Sequence, residues 1–170
     1  MFERIKGSFW LAAFIGFAVL VVDFFTKSWV RQAFFLEPKQ FPIILWHNFL
    51  GVSAQITYTV NSGAAWGMFA DFPGLLVIFR IILLVALIFY LFSARCAPSW
   101  RVPLVCIISG AMANVLDYFI YGVVIDMIQV NLWGYDYPVF NVADSSICIG
   151  ALWLLTLAFF ETDDDSYKTN

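Results

Sequence analysis

The sequence predicts a mainly α-helical membrane protein, with four transmembrane helices and a small extracytoplasmic platform rich in β-structure. Of its 170 residues, 62% are hydrophobic and only 12% are charged, whereas a typical soluble domain carries about 25% charged residues. The mean hydropathy is +0.85, and a soluble globule of this length could not bury so much apolar side chain. The net charge of −3 offers no basic surface for nucleic acid. The three cysteines form no CxxC pair, so they indicate neither a disulfide framework nor a zinc site.

Four apolar stretches define the predicted spans. Each approaches the roughly 20 residues that a spanning helix needs, and polar residues at its ends can reach the membrane interface. The spans are placed near residues 8–26, 73–93, 101–117 and 145–161. Together they make one predicted domain over residues 1–161, followed by an acidic cytoplasmic tail, 162–170, that we expect to be disordered.

The distribution of lysine and arginine predicts the orientation. With the N-terminus inside, the cytoplasmic side holds Arg4, Lys6, Arg95, Arg101 and Lys168, and the outer side holds Lys27, Arg31 and Lys39. This bias favours both termini in the cytoplasm. The two long connections, 27–72 and 118–144, then face outward.

Both long connections carry β-strand patterns. Residues 55–60 alternate polar and apolar side chains, as a half-buried strand does. Residues 123–130 are rich in β-branched types, and residues 131–138 contain the Gly, Asp and Pro of a turn. These segments predict the small extracytoplasmic platform.

Polar residues at the ends of spans are the candidate functional residues, because polar groups in or beside hydrocarbon are costly and usually have a partner or a task. Asp126 interrupts a β-branched apolar run, where packing gives no reason for a carboxylate. Asp144 precedes the fourth span, where helix N-capping is a strong alternative explanation. In the predicted topology both acids reach the outer interface, which permits a paired-carboxylate site.

Two carboxyl groups about 3 Å apart share one proton. One then serves as a base that activates water, and the other as an acid that protonates a carbonyl oxygen or a leaving amine. Two other polar pairs share helix faces: Asp23 with Lys27, four residues apart, and Asn114 with Asp117, three apart. Taken alone, the first is typical of an anchoring ion pair and the second of packing between helices. Arg80 lies within the second span without an evident role.

Two other classes of function remain open at this point. A small four-span transporter could use Asp126 and Asp144 as proton-coupled carboxylates, but transport sites usually lie near the membrane midplane. A structural membrane subunit would use the polar residues only for packing.

Five sequence blocks contain most of the candidate residues: 23–27 (DFFTK), 61–67 (NSGAAWG), 109–117 (SGAMANVLD), 122–128 (GVVIDMI) and 140–144 (FNVAD). In this order they resemble D-Q-x-T-K, N-x-G-A-A-F/W, G-G-x-x-G-N-x-x-D, G-x-V-x-D-F-I and F-N-x-A-D. These are the blocks of lipoprotein signal peptidase (signal peptidase II), a family of four-helix bacterial membrane aspartyl proteases that the chain therefore resembles.

The resemblance implies that Asp126 and Asp144 are a catalytic dyad that removes the signal peptide of a prolipoprotein just before its diacylglyceryl-modified cysteine. It implies a multi-pass protein of the bacterial cytoplasmic (inner) membrane with its active site at the extracytoplasmic interface. The implied partners are lipid-modified prolipoproteins, membrane lipids and globomycin-type inhibitors, with no metal or organic cofactor. The implied substrate-binding and supporting residues are Asp23, Lys27, Asn61, Gly63, Asn114, Asp117 and Asn141.

The sequence departs from the family pattern at several positions. Phe24 stands in place of Gln, Ala113 in place of Gly, and Met127 in place of Phe. Tyr118 follows Asp117 where the family usually has Arg. This last change removes the cation that would hold Asp117 and the nearby substrate carbonyls, a task for which Arg80 or the Tyr118 hydroxyl could partly substitute.

Overall fold

The computed structural model describes the backbone of residues 2–61, 73–93 and 95–166, and the side chains of residues 9–61, 74–93 and 95–160. Within these ranges the chain forms four long helices, each long and apolar enough to cross a membrane. They are α1 (Phe2–Leu36), α2 (Pro73–Phe92), α3 (Arg101–Tyr121) and α4 (Val142–Ser166).

A small antiparallel sheet lies at the end of the bundle where α1 and α3 finish and α4 begins. Its strands, in spatial order, are β1 (Ile43–Phe49), β2 (Val52–Asn61), β3 (Val124–Leu132) and β4 (Tyr135–Asp136). β2 and β3 pair from Val52 with Leu132 to Asn61 with Val124. The predicted fold class, four apolar helices with a small sheet, is therefore confirmed, although β1 was not predicted.

The central helix of the bundle is α3, against which the other three pack. Half of its span is buried, compared with 17% or less for each of the others. Two glycines bring α3 and α4 close together: a Cβ on Gly110 would clash with the carbonyl oxygen of Ala143, and a Cβ on Gly150 would lie 2.6 Å from that of Pro103. Such close approach is how membrane helices gain packing energy without a hydrophobic drive between them.

The first helix is longer than the predicted span, which ended at residue 26. The reason is that Lys27, the charge that limited the prediction, is buried and paired with carboxylates. The helix instead ends at Leu36, just before Glu37 and Pro38, because the residue preceding a proline is disfavoured in the α conformation.

The third and fourth helices also extend beyond their predicted bounds. α3 continues past residue 117 to Tyr121 and stops at Gly122, whose φ of 77° is left-handed and whose N–H donates to the Tyr118 carbonyl over 2.9 Å. α4 begins at Val142, three residues before the predicted start, and continues to Ser166. Residues 162–166 of the predicted disordered tail are thus helical, and residues 167–170 lie outside the described part of the chain.

Candidate active site

The two predicted acids come together because α4 begins beside β3. Asp126 is the third residue of β3 and Asp144 lies in the first turn of α4. Phe140 holds the entry to α4 against β3: its N–H donates to the Ile128 carbonyl over 3.0 Å and its own carbonyl accepts from the Ile128 N–H at 2.8 Å. Both carboxyl groups consequently line one cavity of about 290 Å³.

Asn141 connects the two acids directly. Its side-chain amide donates to Oδ1 of Asp126 over 2.7 Å, and its Oδ1 accepts from the Asp144 backbone N–H over 2.8 Å. The backbone N–H of Asn141 in turn donates to Oδ2 of Asp144 over 3.2 Å. This reciprocal pair is a capping box, so the N-cap of α4 is Asn141, and Asp144 occupies the third helical position rather than the predicted cap.

Two further asparagines hold the remaining carboxylate oxygens. Asn61, at the end of β2, donates to Oδ2 of Asp126 over 3.1 Å. Asn114, on α3, donates to Oδ1 of Asp144 over 2.8 Å. Each oxygen of both carboxyl groups thereby accepts a hydrogen bond, which fixes the orientation of the two groups before any substrate arrives.

The environment of Asp126 favours its protonated form. Burial is the main cause and the charge of Asp144 the second, and together they raise the pKa of Asp126 to about 7. The hydrogen bonds from Asn61 and Asn141 and the charge of Lys27 act in the opposite direction. Asp126 therefore exchanges a proton near neutral pH, where a free aspartic acid is fully ionised.

Behind the two acids lies a buried ion cluster centred on Lys27, which is 1% exposed. Its ammonium is 2.6 Å from Asp23 and 2.7 Å from Asp117, and it donates to the side-chain carbonyl of Asn114 over 3.0 Å. The predicted pairing of Asp23 with Lys27 is confirmed. Asn141 donates to the same oxygen of Asn114 over 3.2 Å, so these two donors turn the amide nitrogen of Asn114 toward Asp144, to which it donates.

The two acids of this cluster also anchor the segments that carry the predicted dyad. Oδ1 of Asp23 accepts from the backbone N–H of Ala143 over 2.8 Å, and Oδ2 of Asp117 accepts from the N–H of Ile125 over 3.3 Å. Ala143 precedes Asp144 and Ile125 precedes Asp126, so each anchor lies one residue from an acid. Of the predicted supporting residues, only Gly63 lies outside the described residues.

A family model described as "Signal peptidase (SPase) II" matches residues 15–160. The chain belongs to the signal peptidase II family. It is 32% identical over 146 residues to a lipoprotein signal peptidase of Staphylococcus haemolyticus strain JCSC1435, covering 85% of this chain and 88% of that protein. It is 35% identical over 115 residues to a lipoprotein signal peptidase of Staphylococcus aureus strain JH9, covering 67% of this chain and 71% of that one.

Two solved structures share the fold, both described as a bacterial membrane enzyme determined by the in meso method. The first, at 2.3 Å resolution, has a TM-score of 0.73 and 28% identity, and the match covers 91% of this chain and 90% of that one. The second, at 1.9 Å, has a TM-score of 0.67 and 28% identity, with coverage of 87% and 92%. The chain is therefore a multi-pass membrane peptidase of the signal peptidase II family.

The cavity wall also contains residues outside the predicted set of site residues. Arg80, from the middle of α2, lines it together with both acids. Tyr118, which stands where signal peptidase II usually has arginine, is not among its lining residues; its ring contacts Phe119 edge-on. Apart from Arg80, the two acids, Asn61 and Asn114, the wall is formed by Val124, Tyr137, Pro138, Val139, Phe140, Ile147 and Cys148.

Proposed function

We propose that the protein is an aspartic endopeptidase that cleaves the signal peptide from diacylglyceryl-modified prolipoproteins just before the lipid-bearing cysteine. The observation that carries this proposal is that the buried Asp126 and the half-buried Asp144 line one cavity, with every carboxylate oxygen hydrogen-bonded and the pKa of Asp126 raised to about 7. Membership of the signal peptidase II family supplies the class of substrate.

Asp126 is the group that holds the shared proton at the start of the reaction. Its raised pKa keeps that proton in place below about pH 7. Asp144 lies in the first turn of α4, where the helix N-terminus stabilises negative charge, so it is the ionised member of the pair and acts as the base. The two residues thus have different roles because their surroundings differ.

The reaction follows as two proton-coupled steps. Asp144 removes a proton from water while the water oxygen bonds to the scissile carbonyl carbon, and Asp126 gives its proton to the carbonyl oxygen. In the second step the carboxyl of Asp144 protonates the amide nitrogen, the C–N bond breaks, and Asp126 recovers a proton as the carbonyl reforms. The products are a signal peptide with a free carboxylate and a lipoprotein with a free amine on its modified cysteine.

The placement of the acids at the ends of spans suits a substrate that is soluble only in the bilayer, because hydrolysis also needs water. It also argues against the transporter alternative, whose acids would lie near the midplane, and the signal peptidase relatives give that alternative no support. We further propose that the dyad faces the extracytoplasmic side. Lys27 is neutralised within the bundle, which leaves Arg31 and Lys39 as the cations of that side and strengthens the positive-inside bias.

The test is complementation in a bacterium depleted of its own signal peptidase II. Expression of this chain should remove the accumulated precursor of a lipoprotein, and globomycin, which we expect to occupy the same cavity, should restore the accumulation. Persistence of the precursor with a folded, membrane-inserted protein would contradict the proposed function.

The pH dependence of cleavage should reflect the shared proton. We expect kcat/KM to fall as pH rises above about 7, since Asp126 then loses the proton that it donates. Asn61→Leu removes a hydrogen bond that stabilises the Asp126 carboxylate, so the pKa should increase and the falling limb should move upward by about 0.5–1 pH unit. Gln55→Leu is the matched control, because Gln55 lies on the same strand and its side-chain amide donates to Gln129 rather than to either acid. If the decrease in kcat/KM occurs at the same pH in Asn61→Leu as in the wild type, the pH dependence does not report the protonation of Asp126.

We infer that Arg80 binds the substrate rather than setting the protonation of the dyad. A guanidinium within a membrane span is costly unless it has a function. Because it has five N–H donors, it can bind a neighbouring protein group and at the same time donate hydrogen bonds to carbonyl oxygens of the substrate. Arg80→Gln should increase KM by about 10–100-fold, the value of a hydrogen bond to a charged group. The pH at which kcat/KM falls should not change, because the pKa of Asp126 is set by burial, Asp144, Asn61, Asn141 and Lys27. A KM for Arg80→Lys between those of the wild type and Arg80→Gln would support a role for the cation. A change in the pH at which kcat/KM falls would contradict the inference that Arg80 acts on the substrate alone.

A further inference from the structure

A second cavity lies at the end of the bundle opposite the dyad. It has a volume of about 340 Å³ and opens between the start of α1, the end of α2 and the start of α3. Thirteen residue steps separate Arg101 from Asn114 along α3, which at about 1.5 Å per residue places the two cavities roughly 20 Å apart. The apolar part of its wall consists of Phe9, Ala12, Ala13, Leu91, Phe92 and Val105.

Two polar side chains complete the wall, and both have hydrogen-bonding capacity to spare. Arg101 makes no ion pair with a carboxylate in the part of the chain that the structure describes. The hydroxyl oxygen of Ser93 is shielded from solvent and has no hydrogen-bond partner among the described residues. An unsatisfied buried hydroxyl is uncommon in folded proteins and is a reason to look for a missing partner.

Arg101 and Ser93 together favour one negatively charged group with several acceptor oxygens, because a guanidinium supplies positive charge and up to five N–H donors and the hydroxyl supplies one more donor.

We propose that this cavity binds the phosphate of an anionic glycerophospholipid from the leaflet opposite the dyad. The phosphodiester would accept hydrogen bonds from Arg101 and Ser93, and an acyl chain would lie on the apolar wall. A lipid fits better than free phosphate, since most of the wall is hydrocarbon and the small side chains of Ala12 and Ala13 leave room for a chain beside α1. Basic pockets between membrane helices are a known setting for lipid headgroups.

Native mass spectrometry of the full chain, released from bilayers of phosphatidylglycerol and phosphatidylcholine, tests the proposal. Wild-type protein should retain one phosphatidylglycerol in preference to phosphatidylcholine. Arg101→Gln should lower the retained fraction by about tenfold and Ser93→Ala by about threefold, as expected for a charged and a neutral hydrogen bond. The matched control is Arg95→Gln, because Arg95 is exposed in the same connection but does not line the cavity.

Three results would overturn this assignment. Equal loss of lipid in Arg95→Gln and Arg101→Gln would show diffuse attraction to a basic loop. If both Arg101→Gln and Ser93→Ala retain as much lipid as the wild type, the lipid binds elsewhere. If millimolar inorganic phosphate displaces the lipid, the cavity is a site for free anions. Because neither residue lines the dyad cavity, precursor cleavage by the same samples should be unchanged, so the lipid site and the proposed function can fail separately.

Discussion

Replacing Asp126 or Asp144 with asparagine is expected to abolish precursor cleavage, with a loss on the order of 10³-fold or more. Asparagine is nearly isosteric with aspartate, but it can neither accept a proton from water nor donate one to the scissile carbonyl. Since each acid depends on the other for the shared proton, the double variant should be about as inactive as either single variant. Cleavage of a lipid-modified precursor by the purified enzyme in bilayers, followed by mass spectrometry, measures the effect.

The control for these variants is Asp136→Asn. Asp136 belongs to the same sheet and is exposed, and its carboxylate accepts a hydrogen bond from Asn131. This variant should cleave at the wild-type rate, and all variants should unfold within a few degrees of one another. If Asp144→Asn or Asp126→Asn cleaves the precursor at the wild-type rate, the two acids are not a catalytic dyad.

Lys27→Met is expected to cause the largest loss of stability, about 3–5 kcal/mol, because removal of one partner leaves buried charge uncompensated. Asp23 and Asp117 are 1% and 5% exposed, and Lys27 is the cation that both contact. Asn114 would also lose one of the two donors to its side-chain oxygen, the other being Asn141, so the folded fraction should cleave slowly. Thermal and denaturant unfolding in detergent micelles measure the change.

Two comparison variants make the result specific to buried charge. Lys39→Met removes an exposed lysine and should change the free energy of unfolding by less than about 0.5 kcal/mol. The triple variant Asp23→Asn/Lys27→Met/Asp117→Asn removes all three charges and should recover part of the loss, since no ion then remains unpaired. If the triple variant is less stable than Lys27→Met alone, charge burial is not the cause.

The four helices and the residues of the site could be predicted from sequence because both depend on local composition. Apolar runs of sufficient length give spans, and acids such as Asp126 stand out in a β-branched run. The extent of α1 could not be predicted, since it depends on Asp117, a counter-ion ninety residues away from Lys27. β1 was missed because residues 43–49 lack strict alternation and are held as a strand by pairing with β2.

The roles of Asn141 and Arg80 needed the three-dimensional structure for another reason. An asparagine before an apolar helix is ordinary capping chemistry, and nothing local indicates that its amide also reaches Asp126. Arg80 is a lone cation in an apolar span, and only the packing of α2 against α3 brings it to the same cavity as the acids.

The double use of Asn141 has a consequence for the order of assembly. The side chain that starts α4 is also the one that holds Asp126, and α4 is the last of the four helices to be synthesised. Until that helix has docked, Asp144 is not in position and Asp126 lacks one of its hydrogen bonds. Under the mechanism proposed above, the protease would become active only when its own assembly is complete.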